Sequence, residues 1–242
     1  MTPRPDGLEL VCLDLGDTLI RPQPSWVDVY LAVCADEGMP LSRRRLEAGF
    51  ASALVGGTLD ELGPFEASAA ASFARVRRFD AAVMTGAGVS EIPHGFYQAV
   101  AARFAAPASW RIFPDVLPAL RRLRAAGLRL AVVSNWVWEG PGLVTALGLG
   151  DWFEAIAISD RVGVSKPHPA IFRAALAAVG VTPDRAVHVG DSYPKDVLGA
   201  TGVGMGALLL VRDGAVPVPA LPDGRPVTVV RDLLDVADFV GA

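Results

Sequence analysis

Two kinds of apolar pattern alternate along the chain. Leu8 to Leu13 (LELVCL) is a short, nearly continuous apolar run that ends at Asp14. Comparable runs are Leu128 to Val133, ending at Ser134-Asn135, and Ala155 to Ser159. Others are Ala186 to Val189, ending at Gly190-Asp191, then Ala207 to Val211 and Val227 to Val230. Runs this short and this uniformly apolar fit strands buried on both faces. Between them apolar residues recur every three or four positions. Val116, Leu117, Leu120 and Leu123 share one helical face before Gly127. Gly142 to Leu147, Pro169 to Val179, Pro194 to Thr201 and Asp232 to Val240 also read as helices. Pro169 and Pro194 suit first-turn positions, where a missing N–H costs nothing. Strands alternating with helices predict an α/β fold, a parallel sheet of about six strands with helices on both faces.

Residues 21–108 break this rhythm. They hold no good strand and read as four helices: Ser25 to Glu37, Ser42 to Ala53, Phe65 to Val83 and Ser90 to Phe104. Breaks fall at Gly38-Met39-Pro40, Gly56-Gly57, Gly63-Pro64 and Gly86 to Gly88. Ser25 and Ser42 are placed to cap the first two. The expected organisation is a core of residues 1–20 and 109–242, with an all-helical insert at 21–108. The Pro-rich stretch Asp213 to Pro226 reads as a surface loop.

Composition narrows the class. The 242 residues are 52% hydrophobic and 20% charged, which is globular. A net charge of −4 leaves no electrostatic footprint for nucleic acid or an anionic membrane. The best uncharged apolar stretch, Val197 to Val211, is interrupted by four glycines and is too short to span a bilayer. The first residues carry no apolar signal region, and two cysteines, Cys12 and Cys34, make neither a disulfide framework nor a zinc site. A cytoplasmic protein is expected. Nothing in the sequence reports oligomeric state.

Polar residues gather where the predicted strands end, which is where open α/β sheets place their sites. They are Asp14 in CLDLGDTL, Ser134-Asn135 in VVSNW, Lys166 in VSKPHPAIF, and Asp191 with Asp196 in HVGDSYPKD. The chain has 22 basic residues but only two lysines, Lys166 and Lys195, and Asn135 is its one asparagine. Each residue alone has an ordinary explanation as a turn, cap or solvated charge; together, in this order, they form a constellation. That order and spacing resembles the haloacid dehalogenase-like (HAD) hydrolase superfamily, across residues 8–20 and 109–240. The resemblance implies a Rossmann-like core with a helical cap inserted after the first motif.

It also implies a Mg²⁺-dependent phosphatase acting on a small phosphorylated metabolite. Asp14 would be the nucleophile, splitting hydrolysis into two easier steps. Asp14, Asp191 and the Gly16 carbonyl would hold Mg²⁺, a hard ion that takes oxygen ligands. The amides of Leu15 and Gly16, the side chains of Ser134 and Asn135, and Lys166 would bind the phosphoryl group. Asp196 would hold ligating waters or Lys166. Other expected members of the superfamily are a 2-haloacid dehalogenase-type hydrolase, attacking carbon through Asp14 without a metal, and a weakly catalytic or non-catalytic binding protein.

One position departs from the pattern. The superfamily's first motif is D-x-D-x-T, whose second Asp is the general acid and base. Here the motif reads Asp14-Leu15-Gly16-Asp17-Thr18. Asp17 is one residue out of place and reads as a turn or flap residue. A phosphomutase, which needs that acid for an alcohol acceptor, is disfavoured. His188, inside a predicted strand, reads as structural. Trp136 and Trp138 read as packing or as walls facing the substrate.

Overall fold

The computed structural model describes residues 7–57, 61–214 and 217–242. Residues 1–6, expected to open the core, and 215–216, within the expected Pro-rich loop, lie outside the described residues.

The chain opens with β1 (Leu10–Leu13) and a short β2 (Ile20–Pro22). Four helices follow: α1 (Trp26–Asp36), α2 (Arg43–Val55), α3 (Ala69–Gly86) and α4 (Phe96–Ala105). The chain then returns through β3 (Trp110–Ile112), α5 (Val116–Ala125), β4 (Arg129–Ser134), α6 (Gly140–Ala146), β5 (Ala155–Ile158), α7 (Ser159–Val162) and α8 (Pro169–Val179). It ends with β6 (Ala186–Gly190), a wide π-type turn at Tyr193–Val197, α9 (Leu198–Thr201), β7 (Gly206–Leu210), β8 (Thr228–Val230) and α10 (Leu233–Phe239).

Six strands form one sheet in the order β5-β4-β1-β6-β7-β8, every pair parallel. Strand order reverses beside β1: the chain runs outward through β4 and β5, then crosses back to β6. A crevice opens at such a reversal, at the carboxyl ends of the strands. β1 explains its own central place. Leu10 and Cys12 face one apolar layer with α8, while Val11 and Leu13 face the other with α5 and α10, and all four are fully buried. The six expected strands are all present, within two residues of their expected ends.

The helices α1 to α4 bury an apolar cluster of their own, including Tyr30, Leu46, Phe79, Val83, Met84 and Phe96. Ser25 and Ser42 cap α1 and α2 as expected, accepting from the Asp28 and Arg45 amides. Two helices start later than expected. Phe65 gives its amide to the Gly163 carbonyl, so α3 begins at Ala69 under a Ser68 cap. Pro93 and Gly95 keep Ser90 to Gly95 out of α4. The expectation that residues 21–108 hold no good strand is corrected at the margin, where β2 runs on to Pro22. β2 and β3 pair antiparallel, Ile20 opposite Ile112 and Pro22 opposite Trp110, and tie the two ends of the helical segment together. No helix among the described residues is long and apolar enough to cross a membrane.

Candidate active site

Four chain segments meet at the carboxyl ends of β1, β4 and β6. Asp14 follows β1 directly, and its amide donates to the Val189 carbonyl of β6 at 2.9 Å. Lys166 stands between α7 and α8 and is 2% exposed. Its Nζ donates to Asp14 Oδ1 at 2.7 Å and to Asp196 Oδ1 at 2.6 Å. Burial works against the Lys166 charge, but the two carboxylates outweigh it and hold its pKa above that of an ordinary lysine.

Asp196 sits in the wide turn after β6 and is fully engaged. Oδ1 also meets His188 Nε2 at 2.8 Å, and Oδ2 accepts the Ser192 amide at 3.0 Å. Burial opposes its ionisation, but Lys166 and His188 prevail and keep its carboxyl well below the usual range. Gly190 makes the room: a Cβ there would lie 2.2 Å from Asp196 Cγ. Asp191 remains open to solvent on one side. The protein crowding its other sides, together with the charges of Asp14 and Asp196, pushes its pKa up to about 7.

Carboxylate oxygens of Asp14, Asp191 and Asp196 come within 4.8 Å of one another. Three carboxylates face one ammonium, a charge deficit that a hard divalent cation matches. Because Asp196 spends its oxygens on Lys166, His188 and Ser192, the oxygens open to such an ion belong to Asp14 and Asp191. The donor set therefore fits the expected Mg²⁺.

The loop after Asp14 turns sharply. Leu19 and Ile20 amides both donate to the Leu15 carbonyl, and the Asp17 amide donates to the Ile20 carbonyl. The Leu15 and Gly16 amides between them have no acceptor among the described residues. Asp17 takes a left-handed backbone, φ 53°, at the apex. Crowding by the protein and the Asp14 charge raise its pKa, against Arg21 and Arg212.

Ser134 ends β4 and is buried. Asn135 is spent largely on Lys166: its Oδ1 accepts the Lys166 amide at 2.6 Å, and its Nδ2 donates to the Lys166 carbonyl at 3.1 Å. One Nδ2 hydrogen remains for a ligand. The structure thus brings Asp14, Leu15, Gly16, Ser134, Asn135, Lys166, Asp191 and Asp196 to one crevice, and places Asp17 at its lip.

Two residues here have roles the sequence did not mark. His188, read as structural, is fully buried and helps fix Asp196. Arg212 follows β7, donates to the Thr18 carbonyl at 2.7 Å, and pairs with both Asp115 oxygens at 3.0 Å. It ties the motif loop to α5. A lone arginine far along the chain carries no local signal of that contact.

Comparison with known proteins agrees with this geometry. The profile of the haloacid dehalogenase-like hydrolases matches residues 8–204. Haloacid dehalogenase-like hydrolase domain-containing protein 3 of Mus musculus is 37% identical over 141 residues, 54% of this chain and 56% of that protein. The chain thus spans about half the length of the mammalian relatives it matches. The Danio rerio protein of the same name is 30% identical over 220 residues, 84% of this chain and 86% of its own length. A glyceraldehyde 3-phosphate phosphatase of Methanothermobacter thermautotrophicus is 35% identical over 136 residues, 54% of this chain and 59% of that protein. Among solved structures, the magnesium-bound HAD-hydrolase YfnB of Bacillus subtilis superposes with a TM-score of 0.78 at 16% identity, covering 97% of this chain and 99% of that one. At that identity the likeness is one of fold.

Proposed function

Because the chain belongs to the haloacid dehalogenase-like hydrolases, we propose that it is a Mg²⁺-dependent phosphatase of small phosphorylated metabolites, working through an aspartyl-phosphate on Asp14. The observation that carries this reading is the buried Lys166 ammonium, 2.7 Å from Asp14 Oδ1 and seated beside an acidic pair open to a cation. A carboxylate pinned at one oxygen presents the other to an electrophile in a fixed direction. The name of the archaeal relative supports a small phosphate ester as the substrate class.

Asp14 attacks phosphorus, and the alcohol or acid oxygen leaves with its electron pair. Lys166 holds the nucleophile in line and offsets charge as the phosphoryl group arrives. The Leu15 and Gly16 amides, Ser134 and the remaining Asn135 hydrogen donate to the phosphoryl oxygens, stabilising charge that grows in the transition state. Water then attacks phosphorus and frees Asp14. Asp14, Asp191 and the Gly16 carbonyl would hold Mg²⁺, which when bound neutralises phosphoryl charge. Residues 21–108 act as a cap on the core of residues 1–20 and 109–242. Their contacts support this: the Trp138 amide donates to Ser72 Oγ of α3, and Arg75 of α3 pairs with Asp160 of α7.

The test is phosphate release from acetyl phosphate and an aryl phosphate across a Mg²⁺ titration. Metal-dependent release that Asp14→Asn abolishes is expected. Release that survives EDTA, or an Asp14→Asn variant with wild-type turnover, contradicts the reading.

A further inference from the structure

The missing side chain at Gly16 leaves no empty space. A Cβ built there would lie 2.9 Å from Trp136 Cζ3, closer than real Cβ contacts come. The indole is held from the other side as well, since a Cβ on Gly140 would lie 2.9 Å from Trp136 Cδ1. Trp136 is therefore wedged between two glycines. Its main chain is pinned too: the amide donates to Ser159 Oγ at 3.0 Å, and the carbonyl accepts from the same hydroxyl at 3.1 Å. Its ring packs against Trp110, centroids 5.0 Å apart, and Trp110 packs in turn against Trp26 of α1 at 5.4 Å. A ring fixed at both edges and backed by two further indoles does not swing aside to admit another group.

An indole carries no proton that it can give to a leaving oxygen at neutral pH. Asp17, the nearest acid in sequence, sits one residue past the wedge on an exposed left-handed turn, its amide tied to Ile20. Lys166 is committed to two carboxylates. We infer that Trp136, seated over Gly16, makes this chain selective for phosphorylated compounds whose leaving group departs as a stable anion, the acyl, enol and aryl phosphates, over alkyl phosphates. The inference rests on the phosphatase reading and narrows its substrate class.

The chemistry balances without an acid. Asp14 forms its bond to phosphorus as the bond from phosphorus to the carboxylate, enolate or phenolate oxygen breaks, and that oxygen keeps the electron pair and needs no proton. In the second step water adds to phosphorus and the Asp14 oxygen leaves as carboxylate. Both water protons depart on the product, as dihydrogen phosphate. An alkoxide leaving group, by contrast, is too basic to depart unprotonated at a useful rate.

The experiment is a leaving-group series at saturating Mg²⁺: acetyl phosphate, p-nitrophenyl phosphate, phenyl phosphate and glycerol phosphate, compared by kcat/KM. The wild type should fall steeply along the series, with glycerol phosphate behind by at least the roughly 10²–10⁴-fold that a general acid contributes. Asp17→Asn should leave that slope unchanged. A flat wild-type series, or a slope that steepens in Asp17→Asn, overturns the inference while leaving the phosphatase reading intact. Absence of metal-dependent release from every member overturns the phosphatase reading itself. Gly16→Asp alone should gain nothing on glycerol phosphate, whereas Gly16→Asp combined with Trp136→Ala should gain tenfold or more relative to p-nitrophenyl phosphate. A gain in the single variant, or none in the folded double variant, removes the wedge as the cause. If the double variant does not fold, the wild-type and Asp17→Asn slopes still decide.

Discussion

Replacing Lys166 by methionine keeps most of its volume and removes its charge. Two carboxylates then lose a common cation: Asp14 Oδ1 at 2.7 Å and Asp196 Oδ1 at 2.6 Å, with Asp196 itself 1% exposed. Removing one partner of a buried ion pair costs about 3–5 kcal/mol, because the remaining charge stays desolvated. At about 2–4 °C of Tm per kcal/mol for a chain of this size, the variant should melt roughly 6–20 °C below wild type at pH 7.5 without metal. The gap should depend on pH in a definite sense. In wild type the Asp196 pKa is depressed, so its contribution is present above the ordinary carboxylate pKa and is lost only as pH falls through its low folded value. In Lys166→Met the orphaned Asp196 carboxylate takes up a proton more readily, because the cation that held its pKa down is gone. The penalty is therefore complete by pH 7 and only partly relieved near pH 4, where wild type still keeps the Asp196 contribution but the variant's carboxyl is protonated. The raised pKa of Lys166 keeps it charged throughout this window. Thermal unfolding followed by circular dichroism from pH 4 to 8 in EDTA measures it. A gap below about 1 kcal/mol at pH 7.5, or one that does not shrink at all toward pH 4, would show that the Lys166 charge does not stabilise these carboxylates in the fold.

Three further outcomes are expected. With its pKa raised to about 7, Asp191 must lose a proton to bind Mg²⁺, so affinity measured by calorimetry should fall by up to about tenfold per pH unit below 7; constant affinity from pH 5 to 8 would show that the Asp191 carboxyl is already ionised in the metal-free site. The same raised pKa stabilises the metal-free fold below the ordinary carboxylate pKa, and that stability should be lost as pH rises through 7 and recovered by adding Mg²⁺, which a shift of Tm with metal reads directly. Gly190→Ala forces a Cβ to within 2.2 Å of Asp196 Cγ and should lower both Tm and turnover, because Asp196 must leave Lys166 and His188; a variant with wild-type Tm would show that the turn gives way freely.

The sheet was legible because its strands are short, nearly continuous apolar runs, and the polar residues that follow β1, β4 and β6 mark the crevice. The β2–β3 pair was not: three residues a side carry no periodicity, and the partners lie about 90 positions apart. The starts of α3 and α4 moved for reasons outside local propensity, through a long-range bond from Phe65 to Gly163 in one case and proline geometry in the other. In the site, residue types and spacing marked Asp14, Lys166, Asp191 and Asp196. They did not show that Asn135 would spend its amide on the Lys166 main chain, since a side chain beside a phosphate crevice reads as a ligand donor until its partner is seen. The gap at Gly16 was visible as a departure from the motif. What fills it was not, because Trp136 reaches it across 120 residues from the end of another strand.

On the proposed mechanism Asp14 carries the phosphoryl group during turnover. Acid quench of a single turnover on acetyl phosphate, followed by borohydride reduction and peptide mass spectrometry, addresses it directly, because the reductant converts an aspartyl-phosphate to homoserine and leaves a free aspartate untouched. Homoserine is expected at position 14, only with Mg²⁺ present and only in the time window before phosphate release is complete. Unmodified Asp14 throughout a turnover that releases phosphate, or conversion at a different aspartate, would contradict that mechanism.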